Sequence, residues 1–166
     1  MPSMEGNLTL LGQILKQDPS VYEEYANLVT SSGVTFARCI KTGMDHPGRA
    51  GIAGVVAGDE ECFSAFKRLF DPIIKAKHHG YTPDSMHLTN LDPCALRVAR
   101  LDDNYVVSTR VRAGRSIRGL RLPPACSTDE RREVERVMVT ALLNMDDELV
   151  GDYCPLSGSE VRSACI

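Results

Sequence analysis

The sequence lacks the features that would place the protein in a membrane, on nucleic acid or outside the cell. No uninterrupted apolar run approaches the length of about 18 residues that predicts a membrane-spanning helix. There is no excess of basic residues, since the formal net charge is −3, which disfavours a general nucleic-acid binder. The N-terminal residues have no basic region before their leucines, no small-residue cleavage site and no arginine. We therefore expect neither a secretory signal nor a transit peptide, and a cytoplasmic location.

Patterns that bind metals are also missing. The six cysteines are scattered and none forms a C-x-x-C pair, which disfavours zinc and thioredoxin-like sites. The four histidines include no i, i+4 pair and no cluster with ligand spacing, so no protein-bound metal is predicted. Three disulfides remain the alternative, but a chain of this size folds without them, and we expect reduced thiols. The cysteines are Cys39, Cys62, Cys94, Cys126, Cys154 and Cys165.

The composition is that of a globular protein, with 43% apolar and 25% charged residues in a chain of 166. The first two thirds read as short helices separated by glycine and proline. Ser20 with Glu23 predicts a capping box, and Thr35 predicts the start of a second helix that Gly43 closes. An apolar stripe at helical spacing over 63–74 predicts a core helix, kinked where Pro72 interrupts it. Between these helices, residues 45–58 form a loop rich in glycine that we expect to be mobile.

Residues 80–103 lose periodicity and indicate a linker, and the character then changes. Residues 104–112, NYVVSTRVR, alternate and are dense in β-branched side chains, which predicts a strand. A second capping box at Ser127 and Glu130 predicts a helix with an apolar stripe running to Met145.

Residues 108–121, STRVRAGRSIRGLR, carry five arginines and no acidic residue. Strand periodicity would place Arg110 and Arg112 on one face, about 7 Å apart, where two guanidinium groups can grip adjacent phosphates. A solvated basic edge strand that resists aggregation is the alternative. The spacing of the arginines does not distinguish a phosphate-binding strand from a solvated edge strand.

Several long motifs, in order along the chain, resemble the phosphagen (guanidino) kinase family and in particular its creatine kinases. They are GVTFARCIKTGMDHPG, VVAGDEECFSAFKRLFDPII, HHGY, LDP, NYVVSTRVRAGRSIRGLRLPP and ERREVERVMVTAL, and the resemblance runs from about residue 22 to 156. It implies reversible transfer of the γ-phosphoryl group of MgATP to a guanidino nitrogen. ATP or ADP with Mg²⁺ and a guanidino small molecule are thus the implied ligands, without nucleic acid or membrane.

The resemblance also implies the fold, which is mostly α. Residues 1–90 would be a small all-helical N-terminal domain, and 91–103 a linker. Residues 104–156 would supply the first strand and helix of an incomplete α+β catalytic domain built on an antiparallel sheet, and 157–166 a divergent tail. The family motif for the ATP phosphates falls on Ser108, Thr109, Arg110, Val111 and Arg112.

The 45–58 loop matches the family's substrate-specificity loop, with Gly48, Ile52, Ala53 and Gly54 as the matching residues. It is two residues shorter than in creatine kinases, and Ala53 aligns with the valine that contacts creatine's methyl group. Glycocyamine, taurocyamine and lombricine are therefore open beside creatine.

No catalytic residue is assigned, because the family's proton-handling acid, its reactive cysteine and further ATP-clamping arginines have no match in this sequence. We expect a truncated chain that is inactive alone and forms homo-oligomers or associates with a full-length relative. The alternative is a non-catalytic nucleotide-binding or regulatory fragment that associates with a full-length relative.

Overall fold

The computed structural model of the chain is mostly helical. It describes residues 2–82, 84–86, 88–97, 102, 104–108, 110, 112, 114–146, 149–151 and 153. Within these residues the regular elements are helices, one 3₁₀ turn and a single antiparallel bridge between Val29 and Thr35. The helices are α1 (Leu10–Gln17), α2 (Ser20–Tyr25), α3 (Phe36–Asp45), α4 (Cys62–Ala65), α5 (Lys67–Lys77) and α6 (Thr128–Leu143), and the 3₁₀ turn is Pro93–Ala95.

One apolar core joins α1 to α5. The rings of Tyr25, Phe36 and Phe66 pack around one another with centroids 5.4–5.7 Å apart, in tilted and edge-to-face arrangements. Leu11 and Leu15 of α1 are fully buried beside them. Burial of each large apolar side chain contributes about 1.5–3 kcal/mol, so these five side chains supply a substantial part of the driving force for folding residues 4–77.

Two of the three predicted helix caps are confirmed. The Thr35 side chain accepts a hydrogen bond from the Arg38 N–H, and Ser127 and Glu130 form a complete capping box. The box predicted at Ser20 and Glu23 is wrong, because Asp18 takes its place: its carboxylate accepts hydrogen bonds from the Ser20 N–H and hydroxyl at 3.2 and 2.6 Å. A carboxylate two residues before Ser20 satisfies these donors without any bond from the Glu23 side chain.

The predicted core helix is present, but its break lies elsewhere. Phe66, at φ −111° and ψ 36°, separates α4 from α5, whereas Pro72 lies inside α5 without interrupting it. Proline costs a helix the hydrogen bond to residue i−4, and the buried stripe of Leu69, Phe70 and Ile73 on both sides of Pro72 holds that turn in place. Phe63 lies before the break and is 45% exposed.

The predicted strand over 104–112 is not formed in the described residues of that segment. Asn104 and Tyr105 form a turn, and the rest carry no regular structure. Tyr105 and Val107 are 85% and 97% exposed. A strand needs a neighbour to satisfy its backbone N–H and C=O groups, and no described segment pairs with this one. Thr109 and Val111 lie outside the described residues.

Helix α6 forms as predicted, but most of its apolar stripe is open to solvent. Val139 is buried, whereas Met138, Leu142 and Met145 are 39–48% exposed. None of the described helices is both long and apolar enough to cross a membrane.

Candidate functional site

The 45–58 loop is docked on the N-terminus of α1. The N–H groups of Leu10 and Leu11 donate to the carbonyl oxygens of Ile52 and Ala53 at 2.9 and 3.1 Å. These donors belong to the first turn of α1, where a helix leaves its N–H groups without intrahelical partners. The loop carbonyls therefore complete the cap that Thr9 begins, and Ile52 and Ala53 are held half-buried at the edge of the core.

The loop's hydrogen bonds continue on both sides of this contact. The Leu8 N–H donates to the Pro47 carbonyl at 2.7 Å, and the Lys77 ammonium donates to the Gly51 carbonyl. Residues 46–51 are nevertheless exposed, and this tip includes Gly48. The part from residue 52 onward is packed and hydrogen-bonded, and mobility of the loop stays a prediction.

Gly54 is where the loop approaches the helices most closely. Its φ of +76° lies in the left-handed region, and its carbonyl accepts a hydrogen bond from the Gly43 N–H at 2.8 Å. A Cβ on Gly54 would lie 2.7 Å from Thr9 Oγ1, and a Cβ on Gly43 would meet the Gly54 carbonyl. Both positions therefore require glycine. Gly54 requires it for its backbone conformation and for lack of space, and Gly43 requires it for lack of space alone.

A buried polar network fixes Thr9 and α3 relative to each other. The Asn7 amide is buried, its Nδ2 donates to the Gly43 carbonyl at 3.0 Å, and its Oδ1 accepts from the Thr9 N–H and hydroxyl at 3.1 and 2.7 Å. The Thr9 hydroxyl oxygen in turn accepts from the Gly12 N–H at 3.1 Å. Sequence reasoning missed Asn7 and Thr9, although a threonine just before the apolar stripe of α1 is a recognisable cap signal.

The other end of the loop is joined to α3 and to the residues that directly follow the arginine-rich segment. The Val56 N–H donates to the Cys39 carbonyl at 2.9 Å, and the Leu122 N–H donates to the Gly58 carbonyl at 2.8 Å. Arg38 adds a second connection, since its Nε donates to the Pro124 carbonyl at 2.6 Å. Residues 122–125 are thereby tied to the helical domain.

Asp59 organises the turn where the loop ends. Its Oδ2 accepts from the Thr30 and Ser32 hydroxyls, each at 2.5 Å, and its Oδ1 accepts from the Cys62 N–H at 2.9 Å. Burial opposes ionisation of Asp59, but the hydrogen bonds from Ser32, Thr30 and Cys62 outweigh it and lower the pKa of this carboxyl. The group therefore stays ionised and caps α4.

In the arginine-rich segment, Arg121 is the residue with a defined ion pair. Its Nε lies 3.0 Å and its Nη2 2.8 Å from Glu130 Oε2, and its backbone N–H donates to Glu130 Oε1 at 3.1 Å. The side-chain bond from Arg121, with backbone bonds from Ser127 and Arg121, lowers the pKa of Glu130 from its ordinary 4.5 to about 2.

Of the predicted phosphate-binding residues, Ser108, Arg110 and Arg112 are exposed to solvent. The placement of the two guanidinium groups on one face stays a prediction. A cleft of about 260 Å³ brings together other residues. Its lining consists of Ser31, Ser32, Asp59, Glu60, Glu61, Gly119, Leu120 and Arg121. Among the residues described, no group of three or more His, Cys, Asp or Glu side chains is arranged to hold a metal ion.

Residues 5–75, which contain the docked loop, match the family described as ATP:guanido phosphotransferase, N-terminal domain. The flagellar creatine kinase of Strongylocentrotus purpuratus is 49% identical over 141 residues, which cover 83% of this chain and 12% of that protein.

Solved structures agree. The crystal structure of a lombricine kinase superposes with a TM-score of 0.81 at 39% identity, covering 90% of this chain and 40% of that one. The duplicated taurocyamine kinase of Schistosoma mansoni, solved with bound transition-state analogue components, superposes at 0.69 and 27% identity, covering 93% and 22%. The chain thus spans well under half the length of each of these relatives.

Proposed function

Because the chain belongs to the ATP:guanido phosphotransferase family, the phosphagen kinases, we propose that it contributes to the reversible transfer of a γ-phosphoryl group from MgATP to a guanidino nitrogen. The observation that carries the proposal is the docked loop. First-turn N–H groups of α1 hold Ile52 and Ala53, and Gly54 fits where a side chain would not. A loop held in this way presents Ile52 and Ala53 at a fixed position, and phosphoryl transfer depends mainly on the positioning of the reacting groups.

In this proposal the loop contacts the guanidino substrate through Gly48, Ile52, Ala53 and Gly54. Ala53 aligns with the valine that contacts creatine's methyl group in creatine kinases, so the substrate is not restricted to creatine. Relatives are named for creatine, lombricine and taurocyamine, and glycocyamine has the same guanidino group. These four compounds form the panel in which the substrate is to be sought.

The nucleotide phosphates are assigned to Ser108, Thr109, Arg110, Val111 and Arg112. Guanidinium groups bind phosphate oxygens through paired, charge-assisted hydrogen bonds, and the exposure of Arg110 and Arg112 leaves both available. We assign this segment to a strand that forms when a sheet partner is present. Magnesium binds nucleotides through phosphate oxygens and retained waters, so the metal would arrive with the nucleotide.

The domain division proposed is a helical domain over 1–90, a linker over 91–103, the start of the phosphotransferase domain over 104–156 and a divergent tail over 157–166. A cytoplasmic location is proposed on the expectation of reduced thiols. We also propose that a polypeptide of residues 1–166 has no turnover by itself, because no residue in it matches the family's proton acceptor.

A second candidate is a nucleotide-binding or regulatory module that associates with itself or with a full-length relative. The observation that favours it is the apolar surface of α6 and the residues just after it, where Met138, Leu142 and Met145 are 39–48% exposed. Exposed apolar surface of this kind favours association with another chain.

The test is a titration of residues 1–166 with MgADP, followed by calorimetry, beside the variants Arg110→Ala and Arg112→Ala. Loss of one charge-assisted hydrogen bond should weaken binding by about 1.5–3 kcal/mol, or roughly tenfold to a hundredfold. Arg132→Ala is the matched control, since its side chain is 77% exposed and lies outside the motif. Unchanged affinity in both motif variants would contradict the assignment.

A coupled phosphotransfer assay with the four guanidino compounds separates the two candidates. Turnover with any of them by residues 1–166 would favour a complete enzyme and contradict the inactivity proposed here. Binding of MgADP without turnover would favour the module.

A further inference from the structure

Two buried thiols face each other beneath the end of the 45–58 loop. Cys39 lies in α3 and Cys62 is the first residue of α4, and both are fully buried in the core. Their sulfur atoms are 3.6 Å apart, close enough for a thiol–thiol hydrogen bond. The local sequence does not predict that the two cysteines are close, because 22 residues separate them along the chain.

The backbone of residues 56–59 covers this pair. Val56 donates its N–H to the Cys39 carbonyl, and Asp59 Oδ1 accepts from the Cys62 N–H, each at 2.9 Å. The Gly58 backbone interacts with both thiols, and its carbonyl accepts from the Leu122 N–H. The thiols thus lie under the junction where the loop meets Leu122.

We propose that Cys39 and Cys62 form an oxidation site, in which a small hydroperoxide converts the dithiol to a disulfide that closes the base of the 45–58 loop. The inference does not rest on the proposed phosphotransfer. A first thiolate attacks the peroxide O–O bond, giving a sulfenic acid and one molecule of water or alcohol. The second thiol then displaces water from the sulfenic sulfur as the S–S bond forms. Two electrons pass from the sulfurs to the peroxide.

The geometry suits this second step. A disulfide needs the sulfurs at about 2.05 Å, so each must move by less than 1 Å from the observed separation of 3.6 Å. The first step is restrained, because burial raises the pKa of Cys39 to about 12 and the thiolate is the reactive form. Oxidation therefore proceeds through opening of residues 56–59, and its rate measures that opening.

The disulfide would staple α3 to α4 across the whole loop. Cross-linking two residues that close a loop of this length restricts the unfolded chain and stabilises the folded one. We expect the oxidised protein to melt at least about 5 °C above the reduced protein. We also expect slower exchange of the amides of residues 52–59.

The test oxidises folded residues 1–166 with hydrogen peroxide, blocks the remaining thiols with N-ethylmaleimide in denaturant, and maps peptides without reduction. The expected product is a peptide pair joined through Cys39 and Cys62, appearing after the exposed Cys94 has reacted. Cys62→Ser should abolish this pair, whereas Cys94→Ser should retain it. If Cys62→Ser does not fold, the peptide map of the wild-type protein still shows whether Cys39 and Cys62 are joined.

Three results would overturn the proposal. One is complete alkylation of Cys39 and Cys62 after Cys94 has been fully oxidised. Another is a disulfide that joins either of them to a different cysteine, or their oxidation to sulfinic acid.

The third result concerns the opening of residues 56–59 and is tested with Gly58→Ala. The added Cβ would lie 2.6 Å from Val34 Cγ1 and 2.8 Å from Ala125 Cβ. Displacing the cover should speed disulfide formation about tenfold. An unchanged rate would contradict control by opening of residues 56–59.

Discussion

Replacing Gly54 by alanine tests the packing of the loop most directly. At φ +76°, an L-residue pays about 1–2 kcal/mol for the left-handed conformation. The new Cβ would also lie 2.7 Å from Thr9 Oγ1 and 3.1 Å from Leu11 Cβ, and such overpacking costs about 1–3 kcal/mol. We therefore expect Gly54→Ala to lower the free energy of unfolding by about 2–5 kcal/mol. That is a large part of the roughly 5–15 kcal/mol typical of a domain.

Two other glycines of the same loop separate the conformational cost from the steric one. Gly51 has φ +74°, but a Cβ added there would meet no atom within 4 Å, so Gly51→Ala should cost only the conformational term of about 1–2 kcal/mol. Gly48 lies outside the left-handed region and is open, so Gly48→Ala should change stability by about 0.5 kcal/mol or less. The three variants form a graded series in one loop.

The assay is urea unfolding of the reduced protein followed by circular dichroism, with the midpoint and the slope compared across the series. Equal losses for Gly54→Ala and Gly51→Ala would show that Thr9 and Leu11 yield freely to the added methyl group. A Gly54→Ala variant as stable as Gly48→Ala would refute both the left-handed conformation and the close approach.

Three further predictions concern other parts of the molecule. Thr9→Val keeps the shape of the side chain but removes the cap on α1 and the bond to Asn7, so urea unfolding should show a loss of about 1–3 kcal/mol. Because the pKa of Glu130 is low in the folded protein, this carboxylate is protonated in the unfolded chain first as the pH falls. The stability that the Arg121 pair contributes is therefore complete above about pH 4.5 and is lost as the pH falls toward about 2. Acid titration of Glu130→Gln should therefore show a smaller decline in that window, and an equal decline would contradict it. Residues 1–166 should show no phosphotransfer in a coupled assay and should oligomerise with concentration on size exclusion; an active monomer would contradict this.

Sequence patterns predicted the parts of the fold that depend on near neighbours. The caps at Thr35 and Ser127 are each made with residues three positions away, and the residue types indicate the bond that they form. The buried stripe through Phe66, Leu69 and Ile73 follows from helical periodicity in the same way. Membership of the family was also readable, because several long motifs occur in order.

Contacts between distant residues could not be predicted in this way. Asn7 meets Gly43 across 36 positions, and Arg38 meets Pro124 across 86. No periodic pattern encodes either bond, since each depends on how the helices pack. The strand predicted over 104–112 fails for the converse reason. Its residues favour an extended chain, but a strand forms only with a partner strand, which the local sequence cannot supply.

The two ends of the 45–58 loop are held by different means, and this difference shapes what the loop can do. At residues 52 and 53 the loop supplies carbonyl groups that α1 needs at its first turn, so releasing the loop there also uncaps a helix. At Gly58 the loop accepts a single backbone hydrogen bond from Leu122, and Arg38 reinforces the contact through Pro124. Opening at this second end breaks the Val56–Cys39 and Gly58–Leu122 backbone bonds but leaves the first turn of α1 capped. Motion of the loop should therefore begin at its exposed tip and at residues 56–59, while the segment on α1 stays in place.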